Sequence, residues 1–576
     1  MNLKNLARII LIAFVFTDIG CNTPGTIENI IIESDKTIFN PLLYPEETGK
    51  LSVTAIYTNG KKEKLASENI EYHAKTKVAS GNANVVELIS DRIIPKEGGV
   101  ATIKAIIIKD GQTYKDEIDV IVRPFYRDYH QTLVLKLFMG MEGEPVERLV
   151  NEPLFKRPHD VIFTFKEALE VIRKTDNLTR GIPKIIYLVG WQKGGHDHHY
   201  PAWDEVNPRL KREEDSTALE SLRWLIREAK RYNTSVSLHI NMLDAYKHSP
   251  LWKEYVEKDL FAKDEQGKLL TENIQIKGDP MYHVVYPREW ESGLAQRRID
   301  NLIEMIPELA ETRTIHVDVF IAQREDGSPL SPWHAKRENG RLTVSRYVDA
   351  QRKIFKYWRE KGFDVTGEGI LWAHPPGEGF YGLQPMAWWY PDDARHQMMV
   401  PENLTARGRT SREGPGDYRF TSSMQGEEIY LKDKENLPGF LEMFCKTTLP
   451  WYYLSQYQRV AFENEVLYYS GGIKAGEENG KKIIRKGNYI LRENDNLFVE
   501  AKWKEKEIIA YSTIGYKDEK WQLPEGWNDV KSVDIYLITL NGPEILYKEI
   551  EIKDNELSLT LDKGSGVAIV PTGTLI

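Results

Sequence analysis

Cysteine is nearly absent from this 576-residue chain, which holds only Cys21 and Cys445. Two such residues supply neither a disulfide framework nor a thiolate zinc site. Cys445 sits in the apolar stretch Phe440-Leu-Glu-Met-Phe-Cys445 and is expected to be buried and inert. Positive charge is not in excess: the net charge is −9, which argues against non-specific nucleic-acid binding. No low-complexity run occurs. Beyond the first twenty residues no apolar run is long enough to span a bilayer. A Gly-x-Gly-x-x-Gly turn after a strand is missing, which weakens a dinucleotide-binding reading. A spaced His-Glu-x-x-His motif is missing too.

What is abundant is aromatic surface, with 14 Trp and 29 Tyr. Such faces serve core packing or the stacking of weakly charged sugar rings. At the N-terminus, Lys4 and Arg8 precede an apolar run from Ile9 to Phe16, the layout of a secretory signal. The run ends in Ile19-Gly20-Cys21 and resembles a bacterial lipoprotein signal, in which the cysteine is acylated. Asp18 departs from the aliphatic residue usual three positions before that cysteine. The expectation is a signal over 1–21, lipidation at Cys21, and a bacterial cell-envelope protein touching the membrane only through that anchor. The glycosylation patterns Asn177-Leu-Thr and Asn403-Leu-Thr carry little weight beside a bacterial signal.

Residues 27–124 alternate with period two. Leu51 to Tyr57 leads to a turn at Asn59-Gly60, and Ala101 to Ile108 leads to one at Asp110-Gly111, which predicts an antiparallel sandwich. This stretch, Thr54-Ala-Ile-Tyr-Thr-Asn-Gly60 above all, resembles bacterial immunoglobulin-like domains. Over 126–457 the pattern changes to strand-like runs alternating with helical ones. Strands are expected at Leu133 to Met139, Lys184 to Val189, Ser235 to Met242, Thr314 to Phe320 and Phe363 to Gly369. Weaker ones are expected at Gln384 to Tyr390 and Thr447 to Tyr453. Helices are expected near Phe165 to Lys174, Ala218 to Ala229, Leu294 to Ile306 and Ser345 to Lys361. Repeated strand-helix units over this length suit a (β/α)8 TIM-type barrel better than an open doubly wound sheet. Over 460–576 the helical period is gone, and Ile508 to Thr513, Val533 to Ile538 and Gly566 to Val570 predict a C-terminal antiparallel β-sandwich. The fold class is therefore multidomain, a central barrel flanked by two β domains.

The candidate chemistry lies at strand ends. In Thr314-Ile-His-Val-Asp-Val-Phe320, alternation puts Ile315, Val317 and Val319 on one face and His316, Asp318 and Phe320 on the other. Phe363 to Gly369 places Glu368 in the same way. Parallel strands are covered by helices outside, so Asp318 and Glu368 point to a common interior at the face where barrel enzymes place their chemistry. Each carboxylate alone is equally served by a helix cap or an arginine partner. In Ser237-Leu-His-Ile-Asn-Met-Leu243, His239 and Asn241 oppose Leu238, Ile240 and Met242 and should also point inward, with Asp244 and Tyr246 in the following loop. The glycine-rich loop Gly190-Trp-Gln-Lys-Gly-Gly-His-Asp-His-His-Tyr200 offers Trp191, Gln192, His196 and Asp197 to a polyhydroxylated ligand. His196, Asp197 and His198 are competent metal ligands, but neighbours in sequence rarely converge on one ion, so no cofactor or metal is expected. Trp372 and His374, and the pair Trp388-Trp389, would wall a pocket beside Glu368 or simply pack.

Taken together, Gly190-Trp191-Gln192 with Gly195-His196-Asp197, His239-Ile-Asn241 with Asp244-Ala-Tyr246, Val317-Asp318-Val319 and Thr366-Gly367-Glu368 resemble glycoside hydrolase families 129 and 101. These families hold α-N-acetylgalactosaminidases acting on mucin-type O-glycans. The 50-residue separation of the carboxylates (368 minus 318) looks closer to family 129, and Asp244 stands where some relatives carry Glu. The resemblance implies a retaining, double-displacement glycosidase with Asp318 as nucleophile and Glu368 as acid/base. Glu368 must begin protonated, through burial or the charge of Asp318. It further implies that Asp197, assisted by His239 and Asn241, holds the hydroxyls of a galactose-type sugar. Substrate-binding candidates are Trp191, Gln192, His196, Asp197, His239, Asn241, Asp244, Tyr246, Trp372 and Trp389. The partner implied is a glycan or glycoprotein. A non-catalytic glycan-binding protein on the same scaffold is the competing reading.

Overall fold

Period-two alternation folds the first part of the chain into two sheets. The computed structural model describes residues 25–79, 83–141, 161–276, 279–324, 326–367, 417–421 and 438–574. Residues up to Tyr126 form one unit and those from Arg127 onward another. The first unit contains β1 (Ile27–Ser34), β2 (Ile38–Phe39), β3 (Gly49–Tyr57), β4 (Lys62–Lys64), β5 (Glu71–Ala79), β6 (Val86–Ile89), β7 (Arg92–Pro95), β8 (Gly99–Lys109) and β9 (Gln112–Val122). One sheet runs β1-β3-β7-β6 with β4 beside β3, the other β2-β9-β8-β5. Leu51, Val53, Ala55 and Tyr57 of β3 are buried, as are Ala101, Ile103, Ala105 and Ile107 of β8. The two sheets share one hydrophobic core. The β8–β9 hairpin closes through Asp110 and Gly111, both at positive φ, the combination its two-residue turn demands.

The second unit begins with strand-helix repeats: β10 (Leu133–Phe138), α1 (Phe165–Leu178), β11 (Lys184–Val189), α2 (Ala218–Glu228) and β12 (Thr234–Asn241). A small antiparallel excursion follows, β13 (Asp244–Ala245), β14 (Thr271–Ile276) and β15 (Asp279–His283), then α3 (Leu294–Met305), β16 (Thr314–Asp318), α4 (Val344–Glu360) and β17 (Asp364–Gly367). Capping boxes start α1 and α2: Thr164 and Thr217 each accept from the N–H three residues on, and Glu167 and Glu220 reach back. Two unpaired donors are thereby satisfied at each helix start. The strands pair in parallel in the order β10-β11-β12-β16-β17. That order follows the chain. A doubly wound sheet reverses direction at a switch point; among the described residues this one does not.

Behind the repeats, ten strands between Arg459 and Pro571 form one antiparallel sheet, and Tyr516–Gln522 pairs separately with Glu556–Leu561. The strands expected around Ile508, Val533 and Gly566 lie within it. The strand expected at Thr447 to Tyr453 is absent: Phe444–Thr448 forms a π turn leading into a helix over Leu449–Leu454. Its threonines and tyrosines favour strands locally, but the segment is buried almost all round, and a helix satisfies its own backbone there. Cys445 is buried, and burial pushes its thiol far above the ordinary range. The strand expected at Gln384 to Tyr390 lies outside the described residues, as does Cys21.

Candidate active site

The parallel sheet presents a polar row on one face. Register sets His239 beside His316 and Asn241 beside Asp318, and His316 beside Thr366. All five are buried. Deeper in the row, the hydroxyls of Tyr129 and Tyr187 lie 2.9 and 2.6 Å from Thr314 Oγ1. His316 Nδ1 is 2.9 Å from Thr366 Oγ1, and the His239 and His316 rings stack with centroids 5.2 Å apart. Leu238, Ile240, Ile315 and Val317, on the opposite parity, are buried apolar residues.

At the C-terminal end of this row stands Asp318. His239 Nε2 is 3.6 Å from Asp318 Oδ1. Asn241 Nδ2 donates to Asp318 Oδ2 at 3.4 Å and to Asp244 Oδ2 at 2.7 Å. Asn241 is itself fixed, because its Oδ1 accepts from the N–H groups of Leu243 and Asp244, both at 2.8 Å. Its backbone carbonyl accepts from Arg298 Nη2 at 3.1 Å. Arg298 is buried, paired with Glu289 at 2.7 Å, and its guanidinium lies 3.9 Å from the Trp203 ring centroid. The Tyr255 hydroxyl donates to the same glutamate.

The strand ends sooner than alternation suggests. Val319 has φ 29°, a conformation that is an outlier for a β-branched residue. Phe320 does not share the Asp318 face: its ring packs against Tyr286 and Phe355, at 4.6 and 5.8 Å. Gln351 of α4 donates to the Phe320 carbonyl at 2.6 Å and Tyr286 to that of Ile321 at 2.8 Å. The break after Asp318 is thus held from both sides.

The glycine-rich loop folds onto the same end. Gly190 and Gly195 have φ of 75° and 83°, and a Cβ on either would meet the Gly140 carbonyl oxygen at 1.9 or 2.6 Å. Only glycine allows that approach, which lets His196 N–H donate to the Gly140 carbonyl at 2.9 Å. His196 packs edge-on to Phe138 and to His239, at 5.1 and 5.5 Å, and its Nε2 lies 3.3 Å from Asp197 Oδ2. Trp191 is fully buried and donates its indole N–H to the His239 carbonyl at 3.0 Å; it supports the loop rather than offering a stacking face. Gln192 is buried beneath the loop. Asp244 lies not in an open loop but in β13, paired with His283 of β15. His283 Nε2 is 3.8 Å from Asp244 Oδ1; burial, with Arg324 nearby, pushes this imidazole down to about 4, so it stays neutral at pH 7. Burial, then the charges of Asp197, Asp318 and Asp244, hold the Tyr200 phenol well above its ordinary value. Tyr246 is raised by burial first and by Asp197 and Asp244 next. Both therefore remain O–H donors. The buried Tyr246 hydroxyl and Trp203 indole N–H have no hydrogen-bond partner among the described residues.

Residues 158–353 match the family model described as glycoside hydrolase family 101, endo-alpha-N-acetylgalactosaminidase. The match covers about a third of the chain. Within the matched segment lie Asp197, His239, Asn241, Asp244 and Asp318. No curated protein is matched by the chain. Among solved structures, the α-N-acetylgalactosaminidase NagBb from Bifidobacterium bifidum with GalNAc aligns at 10% identity and TM-score 0.45, over 80% of this chain and 92% of that one. The GH36 α-galactosidase AgaA from Geobacillus stearothermophilus aligns at 11% and 0.37, over 95% and 88%. A maltogenic amylase from S. marinus aligns at 10% and 0.43, over 95% and 83%.

Within the matched segment the structure brings together Trp191, Gln192, His196, Asp197, His239, Asn241, Asp244, Tyr246 and Asp318. Glu368, Trp372 and Trp389 lie outside the described residues; β17 is described up to Gly367. Sequence reasoning missed Tyr200, Trp203, His283, Arg298 and the Val319 conformation. Arg298 left a signal, an arginine among Leu294, Ala295, Ile299 and Leu302 on the apolar stripe of α3. Among the described residues, two groups of side chains have the composition of metal ligands: His196 with His239 and Asp318, and His198 with His199 and His248.

Proposed function

We propose that the protein is a retaining α-glycosidase that removes α-linked N-acetylgalactosamine, or a related galactose-type sugar, from mucin-type O-glycans. The observation that supports this most is the placement of Asp318. It is a buried carboxylate at a parallel-strand end, oriented by Asn241 and His239 and ringed by Asp197, Asp244, Tyr200 and Tyr246. The description of the family-101 model supports the choice of sugar.

In this reading Asp318 attacks the anomeric carbon while Glu368 protonates the departing glycosidic oxygen, giving a covalent β-glycosyl-enzyme. Glu368 then takes a proton from water, which displaces Asp318 and restores the α configuration. Retention requires the two carboxyl groups about 5–5.5 Å apart. The amide N–H of Asn241 fixes one carboxylate oxygen, which leaves the other to bond carbon. Asp197 and Asp244 would accept from sugar hydroxyls, and the Tyr246 O–H and Trp203 N–H would donate to them. We further read the strand-helix repeats as part of a (β/α)8 barrel, an interpretation favoured by the unreversed strand order. The N-terminal two-sheet unit is read as an immunoglobulin-like spacer, and Cys21 as the lipidated residue of a bacterial envelope protein.

The test is turnover of an aryl α-N-acetylgalactosaminide, beside the matching α-galactoside, with the anomer released first read by proton NMR. The α anomer should appear first. Asp318→Asn and Glu368→Gln should each lower kcat by about 10⁴-fold or more, as removal of a catalytic-unit member does. Release of the β anomer, or unchanged rates in the variants, would overturn the reading.

A further inference from the structure

His198 and His199 of the glycine-rich loop and His248, beyond β13, each bring one imidazole nitrogen within 4.8 Å of the others. None of the three has a part in the reaction proposed above. Adjacent residues in an extended chain point to opposite sides, the ordinary reason such a pair cannot ligate together. Here the backbone is left-handed at Asp197, with φ 49°, and at His199, with φ 70°. The His198 and His199 rings consequently lie parallel, 6° apart in plane, with centroids 6.0 Å apart. His248 closes on them from the other segment. Its ring centroid is 3.9 Å from that of His198, and its Nε2 accepts the His199 backbone N–H at 3.2 Å. Tyr246 stacks behind it at 5.7 Å and 14°. All three imidazoles are half-buried.

We propose that His198, His199 and His248 form a binding site for a divalent transition metal that prefers imidazole, Zn²⁺ foremost. The donor set is three imidazole nitrogens, which suits Zn²⁺ and its first-row neighbours and not Ca²⁺ or Mg²⁺, whose ligands are oxygens. Zn–N bonds of about 2.0–2.1 Å require ligand nitrogens about 3.3 Å apart, which ring rotations supply from the observed spacing. A bound ion would clamp the loop carrying Asp197 and Tyr200 to the segment carrying Asp244 and Tyr246. The site is thus a brace for the sugar pocket, and its existence does not depend on the glycosidase reading.

Full-length protein freed of metal with a chelator is titrated with ZnCl₂ by calorimetry, and with Co²⁺ by visible absorption. One equivalent should bind, with the d–d bands of a low-coordinate cobalt site. His248→Ala and, on the other segment, His199→Gln should each weaken binding by at least about 10- to 100-fold, the loss that even an outer-shell partner causes. Asp318→Asn, which removes the carboxylate from the neighbouring His196–His239–Asp318 group, should leave binding unchanged. Far-UV circular dichroism of the metal-free variants shows that they fold, and His198→Gln provides a third variant. Absence of Zn²⁺ binding overturns the proposal. So does binding that survives the His248 and His199 changes, or binding that disappears with Asp318→Asn.

Discussion

Asp318 sits among groups whose protonation states are set by burial, and His283 shows what that does to stability. Its imidazole is buried beside Asp244 and is pushed from 6.5 to about 4. Between those values the unfolded chain holds the proton that the folded chain refuses. Folding therefore weakens as pH falls from about 6.5 to about 4, by up to about 3 kcal/mol from this residue, and is indifferent to it above that window. Urea unfolding across pH should show this slope in the wild type and lose that component in His283→Gln. Parallel profiles for the two proteins would mean that the imidazole titrates normally.

At the scale of single elements, the end of β16 is where geometry and activity meet. Val319 at φ 29° carries roughly 1–3 kcal/mol of backbone strain, and the buttress from Gln351 and Tyr286 holds it there. Val319→Gly relieves that strain at an entropic cost of about 1 kcal/mol. Stability should therefore stay level or rise by up to about 2 kcal/mol, while the loosened Asp318 backbone lowers kcat by about 10²-fold. Full activity with reduced stability would show that the twist has no part in positioning the carboxylate. The strands themselves were legible. Strict alternation in Ser237 to Met242 and Thr314 to Asp318 placed His239, Asn241 and Asp318 on one face, and the apolar stripes of α2, α3 and α4 were plain at helical spacing. What alternation could not carry was its own end point. Val319 and Phe320 continue the pattern in letters but not in space, because contacts with Tyr286, Gln351 and Phe355, all distant in sequence, decide the backbone there. The same reason explains the helix at Leu449–Leu454, where burial on every side outweighs the strand preference of its tyrosines. The histidine convergence also depended on left-handed backbone at Asp197 and His199, which residue type alone does not announce.

At the scale of the whole second unit, the parallel sheet and the C-terminal sheet are joined by polar contacts. Arg180, just before β11, donates from Nε and Nη2 to Glu507 at 2.7 and 3.0 Å, with both side chains buried. The Arg180 carbonyl accepts from the Trp503 indole at 3.0 Å, and Asn177 donates to the Leu540 carbonyl at 2.7 Å. Arg180→Leu leaves a buried carboxylate unpaired and should cost about 3–5 kcal/mol, most of it recovered when Glu507→Leu is added. Chemical denaturation of the two variants checks this, and a loss under 1 kcal/mol would mean that the pair is solvated. The contact fixes the base of the repeats, far in sequence from Asp318, and so belongs to stability rather than to the reaction.

In the proposed reaction Asp318 forms the bond to the sugar. Asp318→Gly, assayed with an aryl α-N-acetylgalactosaminide in the presence of azide, tests it most directly. The variant should be inactive in buffer and restored by azide, with β-glycosyl azide as the product, because the small anion enters where the carboxylate stood. Hydrolysis at the wild-type rate without azide, or no azide product from a folded variant, would contradict it.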